Sequence, residues 1–132
     1  MNRRHDWADK MFSTIKDHES LPFEYGKNDC CSFVARIVDA MCDTEHEKAL
    51  LQNYHDEPTA LEYIKRSGGI EKAVEAYIGI AKQGRPKRGD VVLIHVNDRD
   101  ALGICIGREI AVKTTDGVSY VDRSVLLKFW SI

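Results

Sequence analysis

The hydrophobic period changes once along this chain, near Asp90, and that change limits the folds open to it. Before Asp90, apolar residues recur at intervals of three and four; after it they come in short alternating or continuous runs. The first spacing lines one side of a helix, and the second lines the faces of a strand. Trp7, Met11 and Ile15 predict a helix near residues 5 to 17. "ESLPFEYGKN" breaks that pattern with Pro22 and Gly26. Cys30, Val34, Ile37, Val38 and Met41 then restore it, with Asn28 or Asp29 available as N-cap. "EHEKALLQNY" leads into "EPTALEYIKRSGG", where Pro58 suits a first helical turn and Gly68-Gly69 a stop. Ile70, Val74, Tyr77 and Ile78 stripe one more short helix.

From Asp90 onward, "DVVLIHV", "ALGICIG", "EIAVKTT", "GVSYV" and "VLLKFWSI" are rich in β-branched and aromatic residues and are separated by turn chemistry in "NDRD" and "TDG". Helices followed by strands predict an α+β domain, N-terminal helices packed on a C-terminal antiparallel sheet, here read as a meander. At 132 residues the chain reads as one domain, residues 1–132, with enough core to fold without staples or metals.

The balance of residues excludes several classes of function. A formal charge of −2 gives no bias toward nucleic acid or an anionic membrane. Lys82, Arg85, Lys87 and Arg88 gather in "KQGRPKRGD", but Gly84, Pro86 and Gly89 punctuate them as a loop; Arg88-Gly89-Asp90 reads as a turn entering a strand. No stretch approaches the ~18 apolar residues of a bilayer span, and the basic N-terminus lacks the apolar segment of a secretory signal. Synthesis in a reducing cytoplasm is expected, with Cys30, Cys31, Cys42 and Cys105 as free thiols. Cys42 and His46 have a C-x3-H spacing without a second pair of ligands, and read as a helix end and a loop histidine. Neither a metal nor a cofactor is expected.

The adjacent thiols Cys30 and Cys31 are the residues with most chemistry to offer. A cysteine in the first turn of a helix feels the positive end of the helix dipole, which lowers its pKa, and the free backbone N–H groups there are the donors an oxyanion needs. Cys30 fits that place as a candidate nucleophile. Cys31 lies about 100 degrees further round and faces packing. Spacing alone favours the plainer view that both are small core hydrophobes.

"YGKNDCCSF", "RGDVVLI" and "ALGICIG" resemble the NlpC-type branch of the papain-like superfamily, cysteine peptidases and amidases that act on bacterial cell-wall peptides. Tyr25-Gly26, Asp29-Cys30, Gly89-Asp90 and Leu102-Gly103-Ile104 stand in that family's order, over residues 22 to 114 or so. A wider set, Tyr54 with Ala60, "SGGIEKAVE", "DGVSYV" and the terminal "FWSI", is similar to a small family encoded among the tail genes of phages and prophages. The resemblance implies a papain-like (NlpC-type) fold, residence in the virion after synthesis in the bacterial cytoplasm, and other tail proteins as partners in a homo- or hetero-oligomeric assembly.

Where the peptidases carry histidine at the start of the second core strand, this chain has Ala101. With "NDRD" (97–100) as hairpin loop, Val96 falls opposite Ala101 and His95 opposite Leu102, so His95, the one histidine nearby in the β half, points away from the face of Ala101, Gly103 and Cys105. His5, His18, His46 and His55 are expected as exposed polar residues. The expectation is therefore a tail-tip or assembly protein, structural and catalytically degenerate. The alternative is a cell-wall peptidase or amidase acting on peptidoglycan peptides, with Cys30 as nucleophile and His95 as candidate base.

Overall fold

The computed structural model describes residues 2–132. Five helices precede the strands: α1 (Trp7–Glu19), α2 (Cys30–Cys42), α3 (His46–Leu50), α4 (Glu57–Ser67) and α5 (Ile70–Ile78). β1 (Val91–Val96), β2 (Arg99–Cys105), β3 (Glu109–Thr114), β4 (Gly117–Asp122) and β5 (Leu126–Trp130) then form one antiparallel sheet. The α+β order and the antiparallel sheet are as the change of period predicts. α4 begins on an Asp56–Thr59 capping box with Pro58 in its first turn, and it stops at Gly68 in the left-handed region.

The expected meander holds only for four strands. The sheet order is β4-β3-β2-β1-β5, so the last strand pairs with the first instead of with its predecessor. A flat sheet of five strands would hold its edges about 19 Å apart. From Asp122 to Leu126, however, the chain can reach at most about 14 Å, and its three intervening residues are wound into a 3₁₀ turn, Arg123–Val125. The sheet must therefore curl until β4 and β5 approach one another.

Curling creates two cores. Val91, Leu93, Leu102, Ile104, Ala111 and Trp130 face outward from the curl and pack on Met11 and Ile15 of α1 and on Phe33, Val34, Ile37, Val38 and Met41 of α2. Val92, Ile94, Cys105, Ile110, Val112 and Phe129 fill the inside, with Val96, Ala101 and Val121 packed against them. Gly103 lies where β2 and β3 press together: a Cβ there would come within 2.8 Å of the Ala111 carbonyl oxygen.

Two polar ties fix this arrangement. Asp90, at the entrance to β1, is buried; its carboxylate accepts from Arg3 Nη2 (3.0 Å), from the Lys87 N–H (2.8 Å) and from the Ile132 N–H (3.1 Å). Arg3 also donates through Nε to the Ile132 carbonyl (2.7 Å) and stacks over Trp7 at 4.2 Å. The second tie joins α1 to β3. Lys113 Nζ donates to the His18 carbonyl (2.6 Å) and the Leu21 carbonyl, while Arg36 Nη1 lies 2.6 Å from His18 Nε2.

His18 thus departs from the exposed position expected of it: it is fully buried, edge-on to Phe33 at 5.0 Å between ring centres. Because Arg36 donates to Nε2, the neutral ring carries its proton on Nδ1. Burial, helped by the charges of Arg36 and Lys113, lowers its pKa from 6.5 to about 4.

Between those two values the unfolded chain binds a proton at His18 that the folded chain refuses, so stability is complete above pH 6.5 and falls as pH drops toward 4. The loss expected from this residue is on the order of 3 kcal/mol. Urea unfolding at pH 7.5 and 4.5 should reveal it, and His18→Gln should flatten the slope. Replacing Asp90 by Ala leaves Arg3 without its carboxylate partner and is expected to cost roughly 2–4 kcal/mol in the same assay at pH 7.5.

Candidate functional site

The start of α2 is built around one buried carboxylate. Asp29 is the N-cap, and it forms a reciprocal capping box with Ser32: Oδ1 accepts from the Ser32 N–H at 2.8 Å, while Ser32 Oγ accepts from the Asp29 N–H at 2.8 Å. Asp29 Oδ2 accepts from the Gly26 N–H (2.9 Å), and Oδ1 takes a further bond from the Tyr54 hydroxyl (2.9 Å). Three donors from three segments therefore converge on one side chain that is almost wholly out of water. Gly26 is needed for this turn, since its φ is +84° and a Cβ would come 2.6 Å from the His55 backbone. Burial and the neighbouring thiols and carboxylate push the Tyr54 hydroxyl far above its ordinary pKa, so it stays a donor.

This scaffold presents Cys30 as the first residue of α2, half-buried. Its Sγ lies 4.0 Å from Cys31 Sγ. The hydrogen bond with Cys31 lowers the Cys30 pKa, and the Leu102 backbone N–H and the Arg99 guanidinium lower it further, against burial and the charge of Asp29, which raise it. The net shift is downward from the usual thiol value. Cys31 moves the opposite way, well above that value, through the same bond and burial. The two shifts thus describe one shared contact between the sulfurs, in which either thiol can be the donor. At the head of the helix, the Ser32 N–H is taken by Asp29 and the Phe33 N–H by the Asp29 carbonyl, which leaves the Cys30 and Cys31 N–H groups ahead of the ladder.

The hairpin beside this thiol corrects the expected register. Its loop is not the four residues 97–100 but Asn97-Asp98 alone, both with positive φ (52° and 62°), which makes a two-residue turn. Val96 faces Arg99, His95 faces Asp100 and Ile94 faces Ala101. Ala101 therefore packs with the inner cluster, on the side of the sheet away from α2. A histidine at 101 would point away from Cys30.

His95 and Asp100, by contrast, share the face of Leu93 and Leu102, the face on which α2 packs. His95 Nδ1 lies 2.8 Å from Asp100 Oδ1, and both side chains are about half exposed. The pair stands one pleat repeat, about 7 Å along the strands, beyond Leu93 and Leu102. The groups that set the proton affinity of Cys30 are Cys31, Asp29, Leu102 and Arg99, and His95 is not one of them. Cys42 ends α2 and His46 begins α3; the His46 ring meets Tyr77 edge-on at 6.3 Å, so this histidine belongs to a helix rather than a loop.

A capped helix presenting a half-buried thiol of lowered pKa to the central strand of a curled antiparallel sheet defines a thiol-bearing α+β domain. Residues 2–132 match the family described as a domain of unknown function, DUF6950, and the chain belongs to that family. No curated protein matches it.

Asp29 holds the thiol up while its scaffold holds the thiol in place, and the two effects separate by mutation. Asp29→Asn removes the charge but keeps a cap, so the pH midpoint of Cys30 alkylation should move down, at a stability cost of about 1–3 kcal/mol. Tyr54→Phe keeps the charge and loses one hydrogen bond; it should weaken the fold without moving that midpoint down. Peptide mass spectrometry after timed alkylation reads both.

Proposed function

We propose that the protein is a thiol-dependent amidase or peptidase domain of the papain-like (NlpC) type, carried by a phage tail. Cys30 is its nucleophile and His95, oriented by Asp100, is its base. The observation that carries this reading is the place of Cys30: first residue of a capped helix, half-buried, with Cys31 Sγ 4.0 Å from its own and a pKa lowered by that contact. These conditions favour the thiolate more than those of a free cysteine do. The packing of α2 supports a base as well, because the helix covers the face of Leu93 and Leu102, which His95 shares, and not the face of Ala101. His95 reaches the thiol by rotating its side chain back along β1, a closing movement of the kind expected when a substrate draws an acid–base pair together. The N–H groups of Cys30, Cys31 and Leu102 are the donors for the oxyanion.

One observation favours a second reading, a structural tail module that keeps the thiol as packing. His95 does not act on Cys30 in the resting protein, and its ring is engaged at the exposed end of the hairpin. On this reading the domain binds other tail proteins and cleaves nothing.

Release of amines from purified peptidoglycan peptides decides between them. The enzyme reading expects release that Cys30→Ala abolishes and that His95→Ala lowers about 10²- to 10⁴-fold. Release no greater than from a heat-killed sample, with wild-type Cys30 reacting at an ordinary thiol pKa, would leave the structural module.

A further inference from the structure

Behind the thiol pair lies an apolar cavity of about 60 Å³ among α2, α4, α5 and the sheet. Cys31 and Val34 of α2, Tyr63 of α4, Val74 and Ile78 of α5, and Leu102 of β2 are among its walls. Two of these belong equally to the Cys30 site. Cys31 holds its Sγ 4.0 Å from that of Cys30, and the Leu102 backbone is one of the groups that lower the Cys30 pKa. Cys30 itself is not one of the walls, so the cavity adjoins the nucleophile through Cys31 and Leu102.

Its walls suit carbon and little else. The hydroxyls of Tyr63 and Tyr77 lie 3.3 Å apart and bond each other, Tyr77 also accepts from Asn53 Nδ2 at 3.0 Å, and the ring of His46, another wall, meets Tyr77 edge-on. The raised pKa of Cys31 keeps its wall neutral. A water in such a place lacks the two to four polar partners it needs, so the space favours an apolar guest. About 60 Å³ is well short of the ~150 Å³ that accepts benzene, which sets the guest at roughly three or four carbons.

We infer that this cavity is the acyl-side subsite of the Cys30 centre, shaped for a small branched aliphatic group attached to the carbonyl carbon that Cys30 attacks. This rests on Cys30 being the nucleophile. The Cys30 proton passes to His95, the sulfur bonds to the carbonyl carbon, and the C–N or C–O bond breaks with that proton going to the leaving group. Water then cleaves the thioester, giving the acid and restoring the thiol. Through these steps the branched chain lies over Cys31 in the cavity, which fixes the carbonyl against Cys30. The substrate class is thus an amide or ester of a short branched aliphatic acid, the class to which a valine or leucine residue's carbonyl belongs.

The test compares p-nitrophenyl acetate, isovalerate and decanoate as acyl donors, reading thioester on Cys30 by mass spectrometry. Each rate is divided by the iodoacetamide alkylation rate of Cys30 in the same protein and by the ester's rate with glutathione. Each methylene buried contributes about fourfold. Isovalerate should exceed acetate by about 10-fold or more, with decanoate below isovalerate, and Val74→Phe should erase the preference. Ratios equal to those of glutathione, or a preference that survives in Val74→Phe, would overturn the subsite. If iodoacetamide also leaves Cys30 untouched, the nucleophile reading fails by itself; isovaleramide titrated against the methyl resonances of Val34, Val74 and Ile78 then tests the cavity alone, and unmoved resonances overturn it.

Discussion

The carboxylate of Asp29 is the constraint on which the functional half of the molecule depends. It closes the turn at Gly26, starts α2 and anchors Tyr54, and no one of these segments is long enough to hold its position alone. A carboxylate this far from water is costly to bury unless its lone pairs are filled, and here three donors fill them. Cys30 follows Asp29 directly, so the thiol's direction is set by a group that does not itself react. The same closeness acts on the thiol as an opposing charge, which the Cys31, Leu102 and Arg99 contacts outweigh.

Much of the fold was legible in the sequence because α2 and α4 announce themselves by a side-chain cap as well as by helical spacing or a glycine stop. Asp29 before the Cys30–Met41 stripe and Gly68 after α4 stand where the spacing puts them. His18 was legible too, and missed: it continues the Trp7, Met11, Ile15 stripe by three residues, and a polar residue on an apolar stripe is a buried one with partners. Those partners, Arg36 and Lys113, lie 18 and 95 positions away, beyond any local pattern. Tyr54 sits in a short non-periodic stretch and gave no local sign of its bond to Asp29.

The register error has a specific cause. "NDRD" looks like four loop residues, but Asn and Asp tolerate the left-handed region well enough that Asn97-Asp98 turns the chain without glycine. Two residues fewer in the loop moves every pair on β2 by two positions and leaves each side chain on its own face; the face that α2 covers, that of Leu93 and Leu102, is set by tertiary packing that no local pattern shows. The apparent loss of a base at Ala101 came from the resemblance to the peptidases, and Ala101 lies on the face turned away from α2. The position of β5 was hidden for another reason: nothing local tells whether a strand joins its predecessor or closes a curl, and only the short reach of the Arg123–Val125 turn requires the latter.

The tie between Arg3, Asp90 and Ile132 places both ends of the described chain at one point, the entrance to β1. A polypeptide entering and leaving through a single narrow site can be carried within a host loop, or joined end to end and reopened elsewhere, with little change to its interior.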